Sequence, residues 1–385
     1  MKTFDVVIVG GGIIGGSIAF DLAQRKLRVA VLDRRNHMHE ASWAAAGMLS
    51  PAPDCPAAIP LVPLGLASLG LYPKFVADVE GESGLSTGYR TGGALEVIYH
   101  GEAEAELSTL VALHHGLGLA CEPLSLEEAT NIEPLLGRDA RAAALLPDEC
   151  SVEPRALASA VLGAAASAGA SLCPDVDVIS FARDRKKCVG VKTSSGETFH
   201  AAQVVLAAGC WSSQIPEAAP YAPTIPVRGQ MVALRHSGMP IQHVVRSGGG
   251  YLVPRGMTSP QTVVAGSTIE IAGYVKQITS GGLEKILSAA NELVPDLAKA
   301  EITETWCGLR PGTPDQLPIL GPADIDGLVF ATGHYRNGIL LAPITAKLIG
   351  EWIADRRTSF DWDAFSPLRF TRANVDRTAT ATQPL

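Results

Sequence analysis

Three glycines, Gly10, Gly12 and Gly15, follow the apolar run Val6-Val7-Ile8-Val9 at G-x-G-x-x-G spacing. A dinucleotide pyrophosphate needs such spacing. The first glycine permits a tight turn, the second lets backbone approach the phosphates, and the third lets helix and strand pack closely. A helix starting just after the turn offers unpaired N–H groups and a partial positive charge. Asp33 ends a second apolar run, 28–32, at about the 20-residue separation where a carboxylate can hold ribose hydroxyls. Two later turns have a similar make-up: Ala208-Gly209-Cys210-Trp211 after the run 202–207, and Gly333-His334-Tyr335-Arg336-Asn337-Gly338 after the run 328–332. Open α/β sheets bind ligands at such strand ends. An ordinary strand-to-loop turn has the same composition, and taken alone the 208–211 turn fits either reading.

The segment Ala41 to Pro51, ASWAAAGMLSP, is equally open. Its small residues suit backbone lying against a flat ligand, or a tight helix start capped by Ser42. The clusters His37, His39, Glu40 and His114, His115 read as solvated faces. The seven cysteines (55, 121, 150, 173, 188, 210, 307) contain no C-x-x-C pair, which argues for reduced thiols in a cytoplasm and against zinc.

The elements that must position these turns follow from periodicity. Strands are expected at 6–9, 28–32, 91–99, 176–180, 189–193, 202–207 and 328–332, and helices at 17–27, 60–79, 102–119, 150–168, 281–294 and 339–353. Ser125 with Glu128 fits a capping box. The runs 229–234, 250–254, 262–266 and 301–309 read as an antiparallel sheet. The fold class expected is α/β: a Rossmann-like dinucleotide domain with a second, mainly antiparallel substrate domain. The first domain is discontinuous, over 1–80, 148–215 and 315–370; the second takes 81–147 and 216–314. Residues 371–385 read as a disordered tail.

At 385 residues two domains are the natural division, and the net charge of −8 argues against nucleic acid as a partner. No signal peptide is expected, since the core strand begins by residue 4. The most apolar window, 59–71, is short and interrupted by Pro60, Pro63, Gly65 and Gly70, so no stable membrane insertion is expected.

The motifs GGGIIG, ASWAAAGML, AAGCWS, GYLVPR, WCGLRPGTPD and GHYRNGILLAP, in this order, give a chain that resembles the FAD-dependent D-amino acid oxidase family over nearly its full length. Within that family it is most similar to the glycine oxidase branch, which feeds thiamine thiazole synthesis; the sarcosine oxidases share the fold. The resemblance implies FAD on Gly10, Gly12, Ile13, Ile14 and Gly15 through its pyrophosphate, and on Asp33 and Arg34 through its ribose. Val176 falls to the adenine side. Ala41, Ser42, Ala46, Gly47 and Met48 fall to the flavin, with Ala208 and Gly209 in the adjoining turn. His334, Tyr335, Arg336, Asn337, Gly338, Ile339 and Leu340 fall to its pyrimidine edge. For substrate, Arg310 resembles a carboxylate clamp, Tyr251 its hydroxyl partner and Arg336 a second arginine nearby. Gly249 stands where a relative has histidine and Ile269 where it has methionine, which implies room for somewhat larger amines or D-amino acids.

The activity implied is oxidation of glycine, and of sarcosine or small D-amino acids, with dioxygen, in a homotetramer of the cytoplasm. The FAD is expected to be non-covalent. Sarcosine oxidases tether theirs through a cysteine, but the tethering register here falls on Gly308, one residue from Cys307. A sarcosine oxidase, a quinone-linked D-amino acid dehydrogenase, a tRNA-modifying relative and a non-catalytic flavin-binding sensor are the alternatives.

Overall fold

The computed structural model describes residues 2–35 and 39–371. His37 and the tail from 372 lie outside the described residues, so the expectations made for them stand aside.

One mixed sheet carries a parallel core in the spatial order Ser171–Cys173, Val29–Leu32, Lys2–Val9, Thr198–Leu206, Leu328–Thr332. The Lys2–Val9 strand is apolar on both faces because both are covered. Val6 and Ile8 enter one buried cluster, and Val7 and Val9 enter another. Helices Ile13–Gln24, Val62–Ser83, Pro154–Ser167 and Gly338–Asp355 pack on the first face. Because Val9, Leu206 and Phe330 lie in register on parallel strands, the three glycine-bearing turns that follow them emerge along one edge. Topology thus gathers turns that lie some 200 and 320 residues beyond the first in the chain numbering.

A second, eight-stranded sheet runs in the order 301–312, 225–236, 261–266, 250–255, 244–247, 94–98, 142–146, 122–124. Its pairs are antiparallel except for 244–247 against 94–98. The Ser280–Leu293 helix buries Ile286, Ala290 and Leu293 against it. Ser125 caps the Leu126–Ile132 helix with the expected box, through Glu128.

Several boundaries differ from expectation. The expected helix 150–168 is Pro154–Ser167, with Cys150–Ser151 drawn into a small three-stranded sheet. The expected strand 176–180 is Val178–Asp184. The strands 122–124 and 142–146, which no periodicity marks, are supplied by tertiary pairing. The helical stretch Pro56–Ser83, 28 residues long with an 18-residue window of mean hydropathy 1.4, is long and apolar enough to cross a membrane by length and composition. The expectation from the shorter window undercounts it. In this fold it is a core element: Leu64, Tyr72, Val76 and Val79 are buried, and Tyr72 donates to the Ile339 carbonyl at 2.7 Å.

Candidate active site

At the parallel edge, Gly10 has φ +107°, and a Cβ there would overlap the Ala207 carbonyl. A Cβ on Gly15 would overlap the Gly10 carbonyl oxygen, so the first helix can lie this close to the turn only with glycine at both positions. The Gly11 N–H donates to Asp33 Oδ2 at 2.7 Å, and the Arg35 N–H to Asp33 Oδ1 at 3.0 Å. The carboxylate therefore ties the glycine turn to the end of the second strand. Its neighbour Arg34 lies over the Trp211 ring, 3.8 Å from the centroid.

Ser42 resolves the two readings of its segment. The Ala41–Ala44 helix is a single turn with no side-chain cap. The Ser42 hydroxyl instead accepts the Ile13 N–H at 2.9 Å, serving the N-terminus of the first helix. The capping reading fails because a longer helix claims the same oxygen.

A cleft of about 360 Å³ connects this edge with the second sheet, within the range of ordinary ligand sites. Of the residues singled out from sequence, Gly10, Gly12, Ile13, Ile14, Asp33, Arg34, Ala41, Ser42, Ala46, Gly47, Met48, Val176, Ala208 and Gly209 line it. So do Tyr251, Arg310, His334, Tyr335, Arg336, Gly338 and Ile339. Gly15, Asn337 and Leu340 do not line it. Leu340 is buried, and Asn337 holds the N-cap position of the Gly338–Asp355 helix without a side-chain cap.

Gly249 and Ile269 are not brought to the cleft. Gly249 sits at a hairpin tip facing Ala289 and Ser247, and Ile269 lies outside the lining with 55% of its surface exposed. Sequence reasoning missed Gly229, Met231 and Asp54. Their signal is register and proximity across the fold, which no local pattern carries.

The second sheet contributes a buried cation. Arg310, on the strand Glu301–Gly312, donates from Nη1 to the Thr268 carbonyl at 3.1 Å and from Nη2 to Ser267 Oγ at 2.8 Å. Its guanidinium lies on Gly229, where any Cβ would overlap it. Among the described residues no carboxylate forms an ion pair with it. Burial lowers its pKa below the usual arginine value; Tyr251 opposes that shift and the charge of Arg336 adds to it. The Tyr251 hydroxyl donates to Met231 Sδ at 3.3 Å. Arg336 Nη1 pairs with Asp54 Oδ1 at 3.0 Å.

His334 is 3% exposed, and its Nε2 lies 3.1 Å from Thr345 Oγ1. Burial pushes its pKa down to about 3, so it is neutral near pH 7. His243 lies 3.5 Å from Glu133 and outside the cleft lining. Among the described residues no group of three or more His, Cys, Asp or Glu is placed to hold a metal.

The family described as DAO, FAD dependent oxidoreductase, matches residues 5–352. The chain belongs to this family. Its cofactor is FAD, and the fold is that of the family's flavoproteins. The chain is 35% identical over 370 residues to the glycine oxidase of Geobacillus kaustophilus, covering 95% of this chain and 97% of that one. It is 38% identical over 375 residues to the bifunctional protein ThiO/ThiG of Synechocystis, covering 96% of this chain and 54% of that one. The chain thus spans about half the length of that relative. The crystal structure of the Geobacillus kaustophilus glycine oxidase superimposes with a TM-score of 0.89 at 34% identity, covering 96% of this chain and 99% of that one.

Proposed function

We propose that this flavoprotein is an amino acid oxidase of the glycine oxidase type, acting on glycine and close relatives such as sarcosine and small D-amino acids. The observation that carries the reading is Arg310, a buried guanidinium bonded to a carbonyl and a hydroxyl and opening on the cleft. A cation taken out of water without a counter-ion is costly. A substrate carboxylate removes that cost and matches the planar fork with two parallel bonds. The Tyr251 hydroxyl, whose acceptor here is a thioether, exchanges that weak acceptor for the carboxylate.

The parallel edge fits FAD. Glycines at 10 and 12 leave backbone bare where the first helix begins, and a Cβ on Gly12 would stand 3.2 Å from Ser42 Oγ. Gly10 to Gly15 would hold the pyrophosphate, Asp33 and Arg34 the ribose, and Val176 the adenine side. Ala41, Ser42, Ala46, Gly47 and Met48, with Ala208 and Gly209, would line the flavin, and the segment 334–340 its pyrimidine edge. When bound, FAD supplies a two-electron acceptor that dioxygen restores. The chain's own part is alignment: Arg310 and Tyr251 fix the carboxylate. His334, neutral and engaged with Thr345, is too weak a base to serve the amine, which enters unprotonated. Glycine, dioxygen and water give glyoxylate, ammonia and hydrogen peroxide.

Non-covalent FAD is part of this reading. Gly308 lines the cleft, whereas Cys307 does not; it stands opposite Gln230 in the sheet, its thiol pKa pushed up by burial. Acid precipitation should leave a white pellet and a yellow supernatant. A pellet that stays yellow, and loses its colour in Cys307→Ala, would reverse this. The same reading takes the chain as a discontinuous cofactor domain with an inserted substrate domain, assembled as a homotetramer in a cytoplasm; light scattering tests the assembly.

The deciding experiment mixes the oxidised protein anaerobically with glycine, sarcosine, D-alanine and D-proline, then admits air. Bleaching by glycine, followed by stoichiometric peroxide, is the expected result. Flavin that none of these bleaches would sink the proposal. Bleaching without peroxide, but with ready reduction of a quinone-like dye, would make the protein a dehydrogenase.

A further inference from the structure

The cleft is lined by two arginines in unlike electrostatic states. Arg310 has neutral partners and is open to an incoming anion. Arg336, in the turn before the Gly338–Asp355 helix, has a built-in anion, Asp54, 3.0 Å from its Nη1. Asp54 itself lies outside the cleft lining and reaches Arg336 from the loop ahead of the Pro56–Leu61 helical turn. That loop is pinned beside the pair, because Cys55 Sγ donates to Gln316 Oε1 at 3.4 Å. The two arginines are close enough for the charge of Arg336 to act on Arg310.

We propose that Asp54 is a specificity-determining residue: it neutralises Arg336 and so restricts the cleft to substrates with one carboxylate. This rests on the amino acid oxidase reading given above. A monocarboxylate needs one uncompensated guanidinium, and Arg310 supplies it. A second carboxylate on the substrate meets a guanidinium whose charge is already matched, together with the repulsion of the Asp54 anion. With Asp54 neutral, Arg336 becomes a second clamp, and an amine bearing two carboxylates gains a partner for each.

The probe is N-(carboxymethyl)glycine, whose two carboxylates are separated by a CH2–NH–CH2 bridge. One Cα–H leaves with its electron pair and the amine gives up its proton, so an imine forms. Water cleaves that imine to glyoxylate and glycine, and dioxygen takes the two electrons and two protons as hydrogen peroxide.

The experiment measures kcat/KM for glycine and for N-(carboxymethyl)glycine with the FAD-loaded wild type, Asp54→Asn, Asp54→Ser, Asp54→Glu and the double variant Asp54→Asn/Arg336→Met. Flavin content and Tm are recorded for each. In both neutral variants the ratio of dicarboxylate to glycine activity should rise about tenfold or more. It should stay at the wild-type value in Asp54→Glu and fall back in the double variant. Raised ionic strength should shrink the gain, because it comes from charge. A purely structural role for Asp54 would lower both activities in parallel and leave the ratio fixed, and that result overturns the proposal. So does a gain that persists in the double variant. A wild type that turns over no glycine would sink the oxidase reading itself; a wild type that does, with an unmoved ratio in both neutral variants, sinks this inference alone.

Discussion

The two walls of the cleft are built on opposite principles. The parallel-sheet wall presents main chain to the cleft: glycine turns and a helix N-terminus, with Ser42 and Asp33 accepting backbone N–H groups. The antiparallel wall presents a side chain to it, a buried arginine held by a carbonyl and a hydroxyl above a bare glycine. Backbone donors are cheap to prepare because each leaves only small dipoles to satisfy. A buried guanidinium is expensive and repays that expense only when an anion arrives. The first wall is therefore suited to holding a permanent tenant and the second to sensing a transient one.

The comparison breaks most visibly at Arg310. Arg310→Ala should lower kcat/KM by about 2–5 kcal/mol, the usual cost of truncating one side of a buried charge pair, while flavin content stays near normal. Arg310→Lys should recover only part of the loss, since an ammonium lacks the fork. Steady-state kinetics alongside the flavin-to-protein ratio check both; an apparent KM near wild type in the alanine variant would move the clamp elsewhere.

Gly229→Ala should act in the same direction and less strongly, about 1–3 kcal/mol, because a methyl group displaces the guanidinium without removing it. The loss should fall mainly on KM. Loss of FAD instead would mean that the two walls are not separable in this way.

His334 gives the parallel wall a pH signature. Its folded pKa, about 3, lies below the ordinary 6.5. Below pH 6.5 the unfolded chain takes up a proton that the folded chain refuses, so this group's contribution to stability declines as pH falls toward 3. The slope approaches about 1.4 kcal/mol per pH unit. Thermal melts between pH 7 and 4.5 should show a falling Tm, and a shallower fall in His334→Asn. Equal slopes in the two proteins would remove His334 as the cause.

The smallest effect is expected at Ser42. Ser42→Ala deprives the Ile13 N–H of its acceptor, an interaction of capping type worth about 1 kcal/mol. Equilibrium dialysis should find FAD held a few-fold more weakly, with the preference among amino acids unchanged. A change in substrate preference with normal FAD affinity would reverse the assignment of the two walls.

What was legible in the sequence was whatever a short segment decides within itself. The Gly10, Gly12 and Gly15 turn is such a case in its spacing and in Gly15, which answers to the Gly10 carbonyl of its own βα unit, although Gly10 also answers to the Ala207 carbonyl of a distant strand. So is the Ser125–Glu128 box, whose partners are three residues apart. The hydrophobic runs likewise announced the parallel strands, because both faces of that sheet are buried. Arg310 and Tyr251 were legible through their family motifs, and the fold brings them to one cleft.

Other features belong to the tertiary structure alone. Gly229 is required by an arginine more than 80 residues away in the numbering, through the register that sets Gly229 opposite Gly308 and Val227 opposite Arg310. Ser42 fits a cap and a ligand wall equally until the first helix claims its oxygen, and Gly249 and Ile269 read as pocket residues until hairpin and loop carry them outside. Asp54 reads as one more loop acid until it meets Arg336. The physical reason is one of range: turns and caps are settled by torsions and bonds over a few residues, whereas charge pairing and steric clearance are settled by whichever strands the fold sets side by side.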